Sequence, residues 1–406
     1  MHEAHALRLS ILRGGTSRAL FFLENDLPRD RDVIERILLN VFGSPDVRQI
    51  NGLGGATSQT SKAALIGPPS RPDADVDYTF AQVSVTQPLV DWGGNCGNIS
   101  SAVGPFAIDA GFVRAVAPLT SVRIHNTNTR KIIVAHVPVE GGRAAMAGDY
   151  AIPGVPSTGA RILLDFHDPA GSVTGKLLPT GQPQDTITIS DGRRLRVSIV
   201  DASNPVVFLL AEELAMTGTE LPQEIERRTD VTGVLEEVRG VVAEMIGIVA
   251  NRHDALRLSP GLPKVGMVAP AQDYRTTGGT SVGDSAMDLQ GRLMSMQTAH
   301  RSYMVTGAIC TAAAAFIEGT VVHEVTRAHG ARTQPDTIRI ANPYGVMEAT
   351  VSAVTRSGTA EILEVTVGRT ARHILDGVAY VDRSLFARSR PGRAGKALTA
   401  QAPRQR

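Results

Sequence analysis

Short stretches dominated by β-branched and aliphatic residues recur along the whole chain, at 7–11, 83–85, 122–124, 131–137, 186–189, 195–200 and 206–210, and each reads as a strand. Apolar patterns at helical spacing are longer but fewer: 29–41, 100–110, 219–247 with breaks, and 289–317 with an interruption. Many strands with a few helices predict an α+β architecture. The turn residues Gly181, Pro183 and Asp191-Gly192 lead to a strand ending in Asp201-Ala202-Ser203-Asn204-Pro205, so a second lobe is expected to begin near there. The expected organisation is an N-terminal lobe over 1–200, a C-terminal lobe over 201–384, and a disordered basic tail over 385–406, where apolar periodicity stops.

An internal echo supports two similar lobes. Gly97-Asn98-Ile99-Ser100-Ser101-Ala102-Val103-Gly104-Pro105-Phe106 can be laid on Gly307-Ala308-Ile309-Cys310-Thr311-Ala312-Ala313-Ala314-Ala315-Phe316, which sets Cys96 opposite Thr306. Each member reads as a small-residue turn feeding an apolar helix, so two helix N-termini are expected to face one another across a cleft.

The 406 residues are too many for one comfortable core and suit two domains. A formal charge of +1, with no block of like charge before the tail, argues against nucleic acid and anionic lipid as partners. No basic-then-apolar leader opens the chain and no apolar run reaches the roughly 20 residues that cross a bilayer, so a cytoplasmic protein off the membrane is expected. Cys96 and Cys310 are the only cysteines, too few for a disulfide framework and without zinc-ligand spacing, which predicts reduced thiols and no structural metal.

The reactive side chains concentrate in glycine-rich turns. Gly54-Gly55-Ala56-Thr57-Ser58-Gln59-Thr60-Ser61-Lys62 and Trp92-Gly93-Gly94-Asn95-Cys96-Gly97-Asn98 offer hydroxyls, amides and free backbone N–H groups where a small anion can approach the backbone closely. Cys96 sits at an expected helix start, where the macrodipole favours an anion, although a small buried hydrophobe is the alternative reading. Cys310, inside an alanine-rich helix, reads as packing. Lys62 runs straight into Ala63-Ala64-Leu65-Ile66; an apolar setting makes a neutral amine available as a base, and a solvated surface lysine is the alternative. Arg13-Gly14-Gly15-Thr16-Ser17 combines a guanidinium with two hydroxyls, a carboxylate site or an ordinary hairpin turn, and it lacks the ending of a nucleotide-binding loop. Lys264, Ser295 and His300 are weaker candidates.

With these turns assembled, the chain resembles the PrpF family from about residue 7 to 382. The resemblance rests on Leu12-Arg13-Gly14-Gly15-Thr16-Ser17, Gly54-Gly55-Ala56-Thr57-Ser58 with Thr60-Ser61-Lys62, Asp91-Trp92 followed by Gly94-Asn95-Cys96-Gly97-Asn98, and Pro263-Lys264 with Val268-Ala269-Pro270. It continues in Leu293-Met294-Ser295-Met296, His300 and Arg369-Thr370-Ala371-Arg372. It implies the diaminopimelate-epimerase-like fold, with two similar lobes, each a mostly antiparallel sheet wrapped around a central helix, and the active site between them. It also implies Lys62 and Cys96 as catalytic residues, with Lys62 the base. Arg13, Thr16, Ser17, Ser58, Asn95, Gly97, Asn98, Lys264 and Ser295 are then expected to bind substrate. Epimerases of that fold use a cysteine from each lobe, and here the second is missing, since Thr306 and Ser295 stand nearest its place.

The implied reaction is isomerisation of an unsaturated tricarboxylate, 2-methylaconitate in preference to 4-oxalomesaconate, through allylic proton abstraction and a dienolate. It calls for no redox cofactor, nucleotide or metal. The expected partner is a small unsaturated di- or tricarboxylate, and a homodimer is the assembly considered. A noncatalytic polycarboxylate-binding accessory to an aconitase-like enzyme fits the same turns. A proline-racemase-like epimerase requires Cys310 to face the cleft.

Overall fold

The computed structural model describes residues 4–328, 336–356 and 359–386, and most of the expected tail lies outside them. Strands dominate. Several are buried along their whole length, among them Lys62–Gly67, Asn204–Leu210 and Leu289–Ser295, so both faces are covered, and the last of these buries Gln290 and Arg292 along with its apolar residues. No helix of the described residues is long and apolar enough to cross a membrane.

Two helices sit against this sheet. Gly97–Asp109 is buried from Gly97 to Ile108, and Val305–Ala315 is buried at every position. Neither is amphipathic, as befits helices enclosed by strands. Small residues let the strands close in: a Cβ on Gly104 would lie 2.8 Å from Val137 Cγ2 and 2.9 Å from Ala135 Cβ. A third helix, Arg31–Phe42, starts on the Asp30 side chain and stops at Gly43 in a left-handed conformation, close to the predicted 29–41.

The pairing order repeats. Ala4–Gly14 forms an antiparallel hairpin with Ser17–Leu23, which pairs in parallel with Lys62–Gly67; that strand runs antiparallel to Val76–Val83, which pairs in parallel with Leu119–Asn126. Arg194–Ala202, Asn204–Leu210, Lys264–Pro270, Leu289–Ser295 and Thr337–Asn342 follow one another with the same sequence of antiparallel and parallel pairings. The two sets join where Ile162–His167 meets Thr359–Arg369, and Ala371–Asp382 returns to pair with Ala4–Gly14.

Three sequence expectations change, the first being the strand expected at 83–85, which is only the end of Val76–Val83 with 84 and 85 outside it. The stretch 289–317 holds a strand, Leu289–Ser295, before its helix; the strand buries Gln290 and Arg292 as well as its apolar residues, so polarity does not mark which positions face solvent. The echo also shifts by two residues: the helices start after Cys96 and Met304, so Cys96 stands opposite Met304 and not Thr306. The two glycines that anchored the alignment serve different contacts. A Cβ on Gly97 would lie 2.6 Å from Val305 Cγ1, whereas one on Gly307 would strike Leu293 Cδ1.

Candidate active site

The contact between Gly97 and Val305 brings the two helix N-termini together, and a cavity opens there. First-turn N–H groups lack intrahelical acceptors, so two sets of donors point at one small volume. Asn204 ties the two starts: its Nδ2 donates to Asn95 O at 3.1 Å and Thr306 Oγ1 at 3.2 Å, while its Oδ1 accepts from Asn95 N–H at 3.3 Å.

Lys62, Cys96, Asn95, Gly97 and Asn98 line this cavity together with Ser17, Lys264 and Ser295. Four of the lining residues are strand starts related by the repeat. Ser17 and Asn204 begin equivalent strands, and Lys62 and Lys264 each begin the next one, paired in parallel to the third residue of its neighbour, Ala19 or Val206. Two lysine side chains thus enter one site from equivalent places. Ser17 Oγ is buried without a hydrogen-bond partner, an orphan that a ligand oxygen would satisfy.

Lys62 is only 7% exposed, and its Nζ donates to Gln82 Oε1. Gln82 is held in that orientation because its Nε2 donates to Ser58 O at 3.1 Å and Ser61 O at 2.9 Å. Burial pulls the Lys62 ammonium down from its ordinary value, with Cys96 and Asp91 acting in the other direction. Lys264 is lowered to about 8, again chiefly by burial, with Asp91 opposing and Lys62 reinforcing. Behind it, Arg239 donates to Ser259 O at 2.7 Å and Leu262 O at 3.1 Å, fixing the loop whose Gly261 and Leu262 form one wall.

Three expected substrate-binding residues lie elsewhere. The Arg13 guanidinium donates to Gly15 O at 3.0 Å and Thr370 O at 2.9 Å, which satisfies its own hairpin. Ser58 lines a neighbouring pocket and presents its carbonyl to Gln82. Thr16 stands one layer behind the cavity, its N–H donating to Asn98 Oδ1 at 3.3 Å and its hydroxyl 3.0 Å from Ser302 Oγ. Its place is to hold Asn98. Glycine makes this approach possible, since a Cβ on Gly15 would collide with Asn98 Oδ1.

Gln82, Asp91, Asn204, Met296, His300 and Thr306 also line the cavity. Asp91 and His300 stand in the motifs quoted above, but Gln82 and Asn204 become visible only through strand pairing. Cys310 is fully buried away from the cavity, its Sγ donating to Val200 O at 3.1 Å and its thiol pushed up by burial. A two-thiol epimerase therefore has no second thiol here.

The PrpF protein family matches residues 5–382. The 3-methylitaconate isomerase of Eubacterium barkeri is 48% identical over 376 residues, covering 92% of this chain and 97% of that protein. The 2-methyl-aconitate isomerase of Cupriavidus necator is 36% identical over 388 residues, 92% of this chain and 97% of the relative. The 4-oxalomesaconate tautomerase of Pseudomonas putida is 38% identical over 378 residues, 93% and 96% respectively. The crystal structure of a methylitaconate-delta-isomerase superposes with a TM-score of 0.75 at 45% identity, covering 97% of this chain and 100% of that one. A hydroxyproline epimerase from Agrobacterium vitis shares the fold, with a TM-score of 0.54 at 10% identity and 95% coverage of each chain.

Proposed function

The chain belongs to the PrpF family and is an isomerase, and we propose that its reaction is a cofactor-independent 1,3-proton shift in a branched unsaturated dicarboxylate of the methylitaconate type. One observation carries this reading: a buried lysine amine and a thiol face two helix N-termini, with Lys264 as the one further cation among the described lining residues. Arg13 is engaged by its own hairpin. Two anionic seats, Lys264 and the paired N–H groups, suit two carboxylates better than three, so a methylitaconate stands ahead of the 2-methylaconitate expected from sequence.

The chemistry follows from the carbon acid. In 3-methylitaconate the C–H on the carbon bearing the methyl and a carboxylate is allylic, and its loss gives an anion delocalised over the double bond and the carboxylates. The neutral form of Lys62, which burial favours over the charged one, takes that proton. Backbone N–H groups of Gly97 and Asn98 and the Lys264 ammonium stabilise charge gathering on oxygen. A proton from the Lys62 ammonium or the Cys96 thiol returns at the terminal methylene, which becomes a methyl. The double bond then lies between the two carboxylate-bearing carbons. Rotation during the dienolate's lifetime gives cis-trans isomerisation on the same scaffold.

Purified protein incubated in D2O with 3-methylitaconate, 2-methylaconitate or 4-oxalomesaconate, followed by NMR and ultraviolet absorbance, tests this. Deuterium entering the allylic positions with a shift of the double bond is expected for 3-methylitaconate. No exchange into any of the three in the absence of a partner protein would instead favour the noncatalytic polycarboxylate-binding reading.

A further inference from the structure

We propose that the protein carries a buried site for a monatomic anion, apart from the active cavity, in which a halide such as chloride sits against the guanidinium of Arg369. Arg369 ends the strand Thr359–Arg369 and opens the motif Arg369-Thr370-Ala371-Arg372, no residue of which lines the active cavity. It is 5% exposed, and among the described residues no carboxylate pairs with it. Its Nη1 donates to Gly368 O at 2.8 Å, its Nη2 lies against the Met347 thioether, and its Nε is buried with no hydrogen-bond partner.

Arg369 lines a separate cavity of about 10 Å³, room for one water-sized particle and too little for a carboxylate or a phosphate. Among the described residues that line it none is acidic, and what they offer is donors. The hydroxyls of Thr16 and Ser302 stand 3.0 Å apart, so one hydrogen joins the two oxygens and the other is left to donate. Asn342 Oδ1 accepts from Tyr344 N–H at 3.1 Å, which leaves the Asn342 Nδ2 without a partner among the described residues. Ile152, Pro153 and Met347 complete the wall with apolar surface.

Charge decides what fills this space. A guanidinium taken out of water without a counter-charge is costly, and burial lowers this one only to about 10, so it remains a cation at neutral pH. A water would bring no charge and two hydrogens in need of acceptors. A halide accepts from guanidinium, amide and hydroxyl alike, compensates Arg369 and lies easily against the apolar wall. The position also matters to the active site. A Cβ on Gly15 would lie 3.2 Å from Arg369 Cδ, so the guanidinium stem packs on the same hairpin whose Thr16 N–H holds Asn98. Ser302, on the other side, donates its N–H to His300 Nδ1 at 3.2 Å. An anion held by Arg369, Thr16 and Ser302 therefore fixes the layer directly behind both helix starts.

The test needs no substrate, so its result is independent of the reaction proposed above. Crystals of the full chain grown in sodium bromide and measured at the bromine absorption edge should show an anomalous peak in hydrogen-bond contact with the Arg369 guanidinium. In solution the wild-type Tm in sodium chloride should exceed that in sodium gluconate of equal ionic strength by about 2 to 4 °C, the difference saturating with chloride and reproduced by bromide. Arg369→Met, which removes the cation and keeps an apolar stem, should lose both the peak and the Tm difference. A water at the position without anomalous signal, equal Tm in the two salts, or a halide dependence that survives in Arg369→Met would overturn the site. A bromide peak with no Tm difference would mark an adventitious ion only and would overturn it as well. If Arg369→Met does not fold, the two wild-type measurements decide the question by themselves.

Discussion

Lys62 and Lys264 are chemically identical side chains to which the proposed reaction gives opposite duties. The base must be neutral and the carboxylate seat charged. Burial lowers both, and Lys264 stays predominantly protonated below about 8. Lys62→Met should therefore abolish solvent deuterium exchange and lower kcat by about 10³-fold, read by NMR. Near-normal turnover would exclude it as the base. An amine is charged below its pKa, so kcat/KM should fall as pH rises through about 8, where free-enzyme Lys264 loses its proton. Lys264→Met should flatten that limb and raise KM by about tenfold or more, the worth of a charge-assisted hydrogen bond. The cysteines separate in the same way: Cys96→Ala should cost about 10²-fold in turnover, whereas Cys310→Ala, in the core, should leave turnover intact and cost about 1 kcal/mol of stability by calorimetry. The glycine turns made Lys62 and Cys96 legible in the sequence. The same logic nominated Arg13, Thr16 and Ser58, which the fold uses for its own carbonyls and amides. A guanidinium or hydroxyl in a turn serves backbone or ligand equally well, and composition does not distinguish them.

Among elements, the two buried helices matter most because their starts touch. Gly97→Ala would place a Cβ 2.6 Å from Val305 Cγ1, so the starts must separate or one turn must distort. The expected outcome is a loss of about 1 to 3 kcal/mol, read as a lowered Tm, together with a fall in turnover. An unchanged Tm would mean that the contact between the starts yields easily. The strands at 7–11, 122–124, 131–137, 186–189, 195–200 and 206–210 and the helix Arg31–Phe42 were legible from apolar runs and capping residues. The strand Leu289–Ser295 was not, since the fold buries its Gln290 and Arg292 beside its apolar residues and polarity there does not report exposure. The two-residue offset between the helices was hidden for a related reason. A glycine in sequence marks a close approach without saying to what, and Gly97 and Gly307 approach different neighbours.

Over the whole molecule, the repeated strand pairings make two similar halves that do not close separately. Ala371–Asp382 pairs with Ala4–Gly14, and Ile162–His167 with Thr359–Arg369, so each half borrows an edge from the other. Residues 1–200 and 201–386 expressed apart should each lack a cooperative thermal transition by circular dichroism, and neither should turn over substrate. A sharp transition in either fragment would show that its half closes alone. By itself the sequence determined the α+β class, the family resemblance, the repeated helix-start motif and the pairing of one lysine with one cysteine in glycine turns. Those depend on local pattern, which is written in neighbouring residues. Tertiary structure alone decided that Asn204 and Gln82 belong in the cavity, that Arg13 and Ser58 do not line it, and that Lys62 and Lys264 enter it from equivalent strand starts. Each of these is a relation between residues far apart in the chain, fixed by strand pairing and burial, and no local pattern encodes it.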